Sequence, residues 1–400
     1  MSAILQAKDL NAGYDGKTVV SGIDIKALKG NVICLIGPNG SGKSTILKTL
    51  AGMLAPLSGT VHIGQEDIHS IKAKDLSKQM AVVLTEGLNV RMTSAYEIVS
   101  MGRIPYTGFF GRLEAEDRRI VLESMQIVGA AELAERDYLS LSDGEKQKIL
   151  IARALAQQPS LIILDEPTSH LDIKHKIEVI GILNRLSAIN GMTVILAMHD
   201  VDIAVKSCQF VLLVKDGRVM AQGRPEDVIG EKTIGDLYDI QGAMFNSVLG
   251  SLEICNDKAP QVFVVGGAGT GTPVFRLLSR MGFGLATGIL HKNDIDCHIA
   301  DSMKLTVISE QCFEPVSAES RSAAAALVEK AAFVVDSNFP VGTFNTDNIE
   351  ILRRAAALKP VLSMRPQQEI ERLYGNGLNI INALSLTELQ TQISALGFSE

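Results

Sequence analysis

The chain has 400 residues, 46% of them hydrophobic and 21% charged, with a formal net charge of −7. That length suits two domains, and a chain this apolar, with no long polar tract, is not disordered. The acidic balance gives no footprint for a nucleic-acid partner, and no apolar run reaches the ~18 residues needed to span a bilayer. The N-terminal MSAILQAKDL lacks the charged and apolar regions of a secretory signal. Five cysteines (Cys34, Cys208, Cys255, Cys297, Cys312) are scattered without a C-x-x-C pair. This is the pattern of reduced thiols rather than of a disulfide frame or a zinc site.

Residues 1 to about 30 read as β-hairpin material, with Asp15-Gly16 as the turn signal. A short apolar strand, Val32 to Ile36, then runs into GPNGSGKST, which fits G-x-x-x-x-G-K-[ST]. A helical pattern follows, with Ile46, Leu47, Leu50, Met53 and Leu54 on one face. Strand, glycine-rich turn and helix N-terminus together make an anion site, with backbone N–H groups pointing inward and the helix dipole adding partial positive charge. Gly37, Pro38, Asn39, Gly40, Ser41, Gly42, Lys43, Ser44 and Thr45 are the expected phosphate cradle. Lys43 is expected to reach the β- and γ-phosphates of a nucleotide, and the Ser44 hydroxyl to ligate Mg²⁺.

From Arg91 to Pro159 the pattern is mostly helical. Ser94 with Glu97 is spaced as a capping box, and Glu114 to Val128 is amphipathic through Ile120, Val121, Met125 and Val128. The segment LSDGE, Leu141 to Glu145, opens a further helix, and Ser142 with Glu145 again has capping-box spacing. LIILDEP, Leu161 to Pro167, is an apolar strand ending in two carboxylates. Asp165 is placed to hold Mg²⁺ through water, and Glu166 to polarise an attacking water. The buried strand Val194 to Met198 ends at His199. Asp216-Gly217 repeats the hairpin signal between Phe210–Val214 and Arg218–Gln222.

A boundary is expected near Ser251 to Pro260. A fresh alternation begins with the strand Val262–Val265 and the helix Pro273–Met281 and continues to the strand Val361–Met364. This βα alternation implies a parallel sheet with helices on its faces. Its first turn, GGAGTG, is neither G-x-x-x-x-G-K-[ST] nor G-x-G-x-x-G. A weak anion site and a tight packing turn both remain open there. In HKNDIDCHIAD, Asp294 and His298 stand at i, i+4; helix capping is preferred over a metal pair.

LSDGEKQK resembles the signature motif, usually LSGGQ, of ATP-binding cassette (ABC) ATPases. P-loop, signature, LIILDEP, SHLD (Ser169 to Asp172) and the strand ending in His199 occur in that family's order over about residues 1–250. The resemblance implies an ABC-type P-loop ATPase over residues 1–252, with a RecA-like core, an antiparallel β subdomain and a helical subdomain. A smaller Rossmann-like α/β accessory domain would occupy 258–400. It further implies that Tyr14 stacks on the adenine of ATP and that His199 contacts the γ-phosphate. Ser142 and Gly144 would reach the nucleotide of a second copy, and Asp172 would lie across the seam of that homodimer. Lys43, Glu166 and His199 are the expected catalytic groups; Ser44 and Asp165 are the expected Mg²⁺ ligands.

Two motifs depart from the family pattern. In the signature, Asp143 replaces the usual Gly and Glu145 the frequent Gln, and further upstream Thr85 or Glu86 stands where a Gln normally follows an apolar strand. The segment MGRIPYTGFFGRL, Met101 to Leu113, resembles ATPases of importers for iron–siderophore, haem and cobalamin. The implied protein is the ATP-hydrolysing subunit of such an importer, peripheral on the cytoplasmic face of the inner membrane. It would dock on integral-membrane permease subunits and serve, indirectly, a substrate-binding protein. The alternatives are a soluble ABC ATPase with no transporter and a cassette governed by a ligand-sensing C-terminal domain.

Overall fold

The computed structural model describes residues 3–84, 90, 92–108, 111–375 and 377–398. Contacts divide the chain into two units, one up to Tyr238 and one from Asp239 onward. Among the described residues no helix is long and apolar enough to cross a membrane.

The first unit comprises, in chain order, β1 (Ala3–Tyr14), β2 (Lys17–Leu28), β3 (Val32–Ile36), α1 (Lys43–Leu50), β4 (Ser58–Ile63), β5 (Glu66–Asp67), α2 (Ala73–Gln79), β6 (Met80–Val83), α3 (Ala95–Ser100), α4 (Ala115–Ile127), α5 (Asp143–Ala156), β7 (Leu161–Asp165), α6 (Ile173–Asn190), β8 (Thr193–Met198), α7 (Val201–Ser207), β9 (Phe210–Lys215), β10 (Arg218–Gly223), α8 (Pro225–Val228) and α9 (Glu231–Tyr238). The hairpin expected around Asp15-Gly16 forms, and both turn residues have positive φ, 50° and 74°. That conformation matches the twist of the flanking strands.

One sheet, in the order β2-β1-β4-β5, is antiparallel. The other, β10-β9-β3-β8-β7-β6, is parallel except for the β9–β10 hairpin. All residues of β3, β7 and β8 are buried, as expected of parallel strands covered on both faces. A single core joins the two sheets through α1, drawing Leu10 and Ile23 from the hairpin, Ile46 and Leu50 from α1, and Leu35, Ile163 and Ile195 from the central strands. Each such side chain contributes about 1.5–3 kcal/mol through burial.

Helices α3 and α5 both start with capping boxes, Ser94 with Glu97 and Ser142 with Glu145. The chain after α3 is pinned by Arg103, whose side chain bonds Asp117 on α4 and the Ala156 carbonyl at the end of α5. Phe109 and Phe110 of that segment lie outside the described residues, as do Thr85 and Glu86.

The second unit begins with β11 (Ala243–Asn246) and β12 (Ser251–Ile254), a hairpin not expected from the sequence. This hairpin is bonded to the later elements of the second unit. Asn246 Nδ2 donates to the His298 carbonyl at 3.2 Å and to Ser302 Oγ at 3.0 Å, and Glu253 pairs with Arg276. The division between units therefore falls upstream of the interval 252–258. The remaining elements are β13 (Val262–Val265), α10 (Gly271–Arg280), β14 (Leu285–His291), α11 (Ile295–Ser302), β15 (Thr306–Glu310), α12 (Ala318–Lys330), β16 (Phe333–Asp336), α13 (Asp347–Leu358), β17 (Val361–Ser363), α14 (Gln367–Tyr374), β18 (Ile380–Asn382) and α15 (Leu386–Ala395).

The large sheet of this unit runs β15-β14-β13-β16-β17-β18, with parallel pairing throughout. In terms of its own strands that is the order 3-2-1-4-5-6, the doubly wound Rossmann arrangement. Separate cores fill its two faces, one around Phe263, Val334 and Leu352, the other around Val264, Phe275 and Leu389.

The glycine-rich turn after β13 resolves the choice left open by the sequence. Asp296, fully buried on α11, accepts hydrogen bonds from the N–H of Gly267 (2.8 Å), Gly271 (2.8 Å) and Thr272 (2.9 Å) and from Thr272 Oγ1 (2.7 Å). Asp294 caps α11 and takes the N–H of Ala268 at 2.8 Å. The turn is a packing turn in which the N–H groups of Gly267, Ala268, Gly271 and Thr272 are taken by the protein's own carboxylates. Asp294 acts as a helix cap, and among the described residues no group of three or more His, Cys, Asp or Glu converges as a metal site.

Candidate active site

Parallel pairing brings three strand ends to one place. Ile36, the last residue of β3, is in register with Met198 on β8, and Asp165 on β7 with Ala197. The P-loop, Glu166 and His199 therefore leave the sheet side by side. Gly42 caps α1 with φ 103°, and a Cβ there would stand 2.3 Å from Val20 of the neighbouring hairpin. Only glycine meets both demands.

Lys43 is buried and folds back, its Nζ donating to the carbonyls of Gly37 at 2.8 Å and Pro38 at 2.9 Å. Burial pulls the pKa of this ammonium down, and the carboxylates of Glu166 and Asp165 oppose that pull. Ser41 Oγ is buried in the same loop without a hydrogen-bond partner. An unmatched buried hydroxyl beside a cationic amine and a helix N-terminus is what an anionic ligand would satisfy.

Ser44 Oγ donates to Asp165 Oδ1 at 3.1 Å. Burial raises the pKa of the Asp165 carboxyl, the Ser44 hydroxyl lowers it, and neighbouring Glu166 raises it further. A hydroxyl and a carboxylate in contact beside a phosphate cradle suit a hard, oxygen-seeking cation, so the donor set fits Mg²⁺.

Glu166 turns out of β7 in a left-handed conformation, φ 49°, with its N–H on the Ala197 carbonyl at 3.2 Å. Its carboxylate pairs with His199 Nε2 and accepts from Ser169 Oγ at 2.9 Å. The Ser169 contact was not foreseen; its signal is the three-residue spacing across the turn after β7.

Tyr14, at the hairpin tip, is 45% exposed. Ser142 and Gly144 are not brought into the P-loop cluster. They sit at the N-terminus of α5, where Ser142 bonds Glu145. A Cβ on Gly144 would meet the His175 ring at 2.4 Å, a contact the sequence did not reveal. Asp143 is exposed and lies 3.8 Å from Lys146. Asp172 caps α6, accepting from the His175 backbone N–H at 2.8 Å.

A phosphate cradle with a buried lysine, a hydroxyl–carboxylate pair for a cation and a carboxylate–imidazole pair at adjoining strand ends define the class of P-loop nucleotide hydrolases. The family model described as ABC transporter matches residues 20–169, and one described as MJ0874 family matches residues 285–396. The ABC transporter ATP-binding protein MJ0873 of Methanocaldococcus jannaschii is 42% identical over 289 residues, covering 72% of this chain and all of that protein. The iron(3+)-hydroxamate import ATP-binding protein FhuC of Bacillus subtilis is 35% identical, covering 63% of this chain and 93% of its own length. The cobalamin import ATP-binding protein BtuD of Halobacterium salinarum is 32% identical, covering 73% and 75%.

Among solved structures, cbiO1 from Clostridium perfringens superposes with a TM-score of 0.52 at 30% identity, covering 58% of this chain and 93% of that one. A dimeric post-hydrolysis state of the cassette MJ0796, bound to ADP and Pi, gives 0.50 at 26% identity, covering 55% and 98%. The chain belongs to the ATP-binding proteins of ABC transporters, ATPases that power transport.

Proposed function

We propose that this chain is the ATP-hydrolysing subunit of an importer for a metal chelate of the iron–siderophore, haem or cobalamin kind, working through a separate permease. The observation that carries the reading is the convergence of Lys43, the Ser44–Asp165 pair and the Glu166–His199 pair at adjoining strand ends. The import proteins FhuC and BtuD, similar over the cassette, support the cargo class.

In this reading the P-loop amides and Lys43 bind the β- and γ-phosphates of ATP, Lys43 leaving the carbonyls of Gly37 and Pro38 to do so. Ser41 Oγ gains an acceptor, and Tyr14 offers its ring to adenine. Ser44 and Asp165 would hold Mg²⁺, which supplies charge neutralisation on the phosphates. Glu166 takes a proton from the attacking water, and His199 orients Glu166 and reaches the γ-phosphate. The remaining contacts come from Ser142 and Gly144 of a second copy, with Asp172 at the seam, so that ATP closes a homodimer and hydrolysis reopens it. The cassette is assigned to the unit ending at Tyr238 and the accessory domain to the unit from Asp239 onward, on the cytoplasmic face of the membrane.

The test is co-purification of the tagged full chain from membranes, then ATPase assay of the reconstituted complex. A polytopic membrane protein is expected to co-purify and to stimulate turnover, and Lys43→Ala is expected to abolish turnover. Full turnover with no membrane protein bound would favour a soluble ATPase instead.

A further inference from the structure

The second unit carries a cavity that the cassette chemistry does not use. It has a volume of about 340 Å³ and is lined by Ala268, His291, Asn293, Asp294, Phe313 and Phe344, among others. Apart from His291, which ends β14, these residues come from the turns after β13, β14, β15 and β16, so the cavity opens at the carboxyl ends of the strands on either side of the point where strand order reverses. In open α/β sheets that crevice is where ligands bind. Ala268, Phe313 and Asn338, in the turns after β13, β15 and β16, all hold positive φ, of 54°, 63° and 64°.

We infer that this cavity binds a flat, nitrogen-containing heterocycle that carries no phosphate. The ring specificity comes from the walls. Phe313 and Phe344 are 74% and 49% exposed, and both line this one cavity. Phe344 is held edge-on by the His291 ring, centroids 6.4 Å apart at 80°, and His291 is itself tied through Nε2 to the Glu314 carbonyl at 2.9 Å. Both phenyl groups line the cavity, where an aromatic surface favours a planar ring. The exposed Asn293 amide presents a donor and an acceptor side by side, the pattern that matches a ring edge with adjacent acceptor and donor.

The exclusion of phosphate comes from the turn. The N–H groups of Gly267, Gly271 and Thr272, which a pyrophosphate would need, are all given to Asp296, and that of Ala268 to Asp294. Both acceptors are carboxylates, and Asp294 also lines the cavity. A phosphate would face negative charge where a nucleotide-binding turn offers free donors. The volume lies at the small end of ligand pockets and holds a fused two-ring system with a modest substituent.

The experiment is titration calorimetry on the full chain with the cassette site saturated by ADP. Adenosine, inosine and benzimidazole serve as neutral probes, with AMP and IMP as the phosphate-bearing counterparts of the two nucleosides. At least one neutral probe is expected to bind once per chain, with the phosphate form weaker by about tenfold or more. Phe344→Ala and Asn293→Ala should each weaken the neutral probe by about tenfold. Circular dichroism of the variants, which alter exposed side chains only, checks that they are folded. Three outcomes would each overturn the inference: no neutral probe binding at up to about 1 mM, binding indifferent to both cavity substitutions, or AMP or IMP binding as tightly as its parent.

Discussion

Arg103 Nε donates to Asp117 Oδ1 at 2.9 Å, and only 5% and 11% of the two side chains remain exposed. The same guanidinium lies 3.9 Å over the Tyr106 ring and donates to Gln158 Oε1 at 3.0 Å. At the preceding residue, a Cβ on Gly102 would stand 2.2 Å from the Arg153 carbonyl of α5. The GR of MGRIPY is thus a clamp that seats this segment on α4 and α5. The role these contacts give Gly102 and Arg103 is architectural.

Breaking this clamp from one side leaves a buried charge without its partner. Arg103→Met, or Asp117→Asn, should destabilise the first unit by about 3–5 kcal/mol. Chemical denaturation monitored by circular dichroism measures it, and a loss below about 1 kcal/mol would show that water reaches the pair freely.

Glu166→Gln keeps the shape of the side chain and removes its basicity. Turnover should fall by about 10²–10⁴-fold while ATP binding persists, because Lys43 and Ser44 are untouched. Phosphate-release kinetics together with nucleotide-binding titrations separate the two effects. Turnover near that of the unaltered chain would remove Glu166 from the proposed mechanism.

If the nucleotide site is completed by a second copy, defects in different chains should complement. Lys43→Ala chains mixed with Ser142→Arg chains should regain ATP-dependent dimerisation, since one composite site of the heterodimer is intact. Neither variant should dimerise alone. Sedimentation with and without ATP reads the result, and mixtures no better than either parent would argue against sharing.

Asp296→Asn replaces an acceptor of four hydrogen bonds with a group that must present an NH₂ to some of those donors. With Asp296 fully buried, the second unit should lose about 3 kcal/mol or more. A lowered thermal transition for that unit is the expected reading, and an unchanged transition would mean that the turn finds other acceptors.

Glu310 gives a pH signature. The Ser317 backbone N–H, with the hydroxyls of Ser317 and Ser320, holds its carboxyl down at about 2. The unfolded value is ~4.3, so the folded state favours the ionised form. Its contribution is fully present above the unfolded value and is lost as pH falls from there through about 2. Acid unfolding of Glu310→Gln should therefore converge with that of the unaltered chain at the acid end, and a gap that widens on acidification would contradict the assignment.

What the sequence made legible was local. The P-loop, the two capping boxes and the hairpin at Asp15-Gly16 are each encoded within a few consecutive residues, and each forms as expected. What it concealed was pairing across distance. The donors of the GGAGTG turn are visible in the sequence, but their acceptor, Asp296, lies 25 residues beyond Gly271, and nothing local announces it. The contact between Gly144 and His175 is hidden for the same reason. The order of the second sheet is equally silent, because short strands such as Val262–Val265, buried on both faces, carry no alternation from which a neighbour can be read. The helices Gln367–Tyr374 and Leu386–Ala395 lie beyond the last strand recognisable from its pattern and were not anticipated.

The buried carboxylate of Asp296 has a consequence for how two units on one chain coexist in a nucleotide-rich cell. A turn of this shape with free amides would compete for the triphosphate that the cassette consumes, and its occupancy would rise and fall with energy charge. Filled from within, it is blind to that pool.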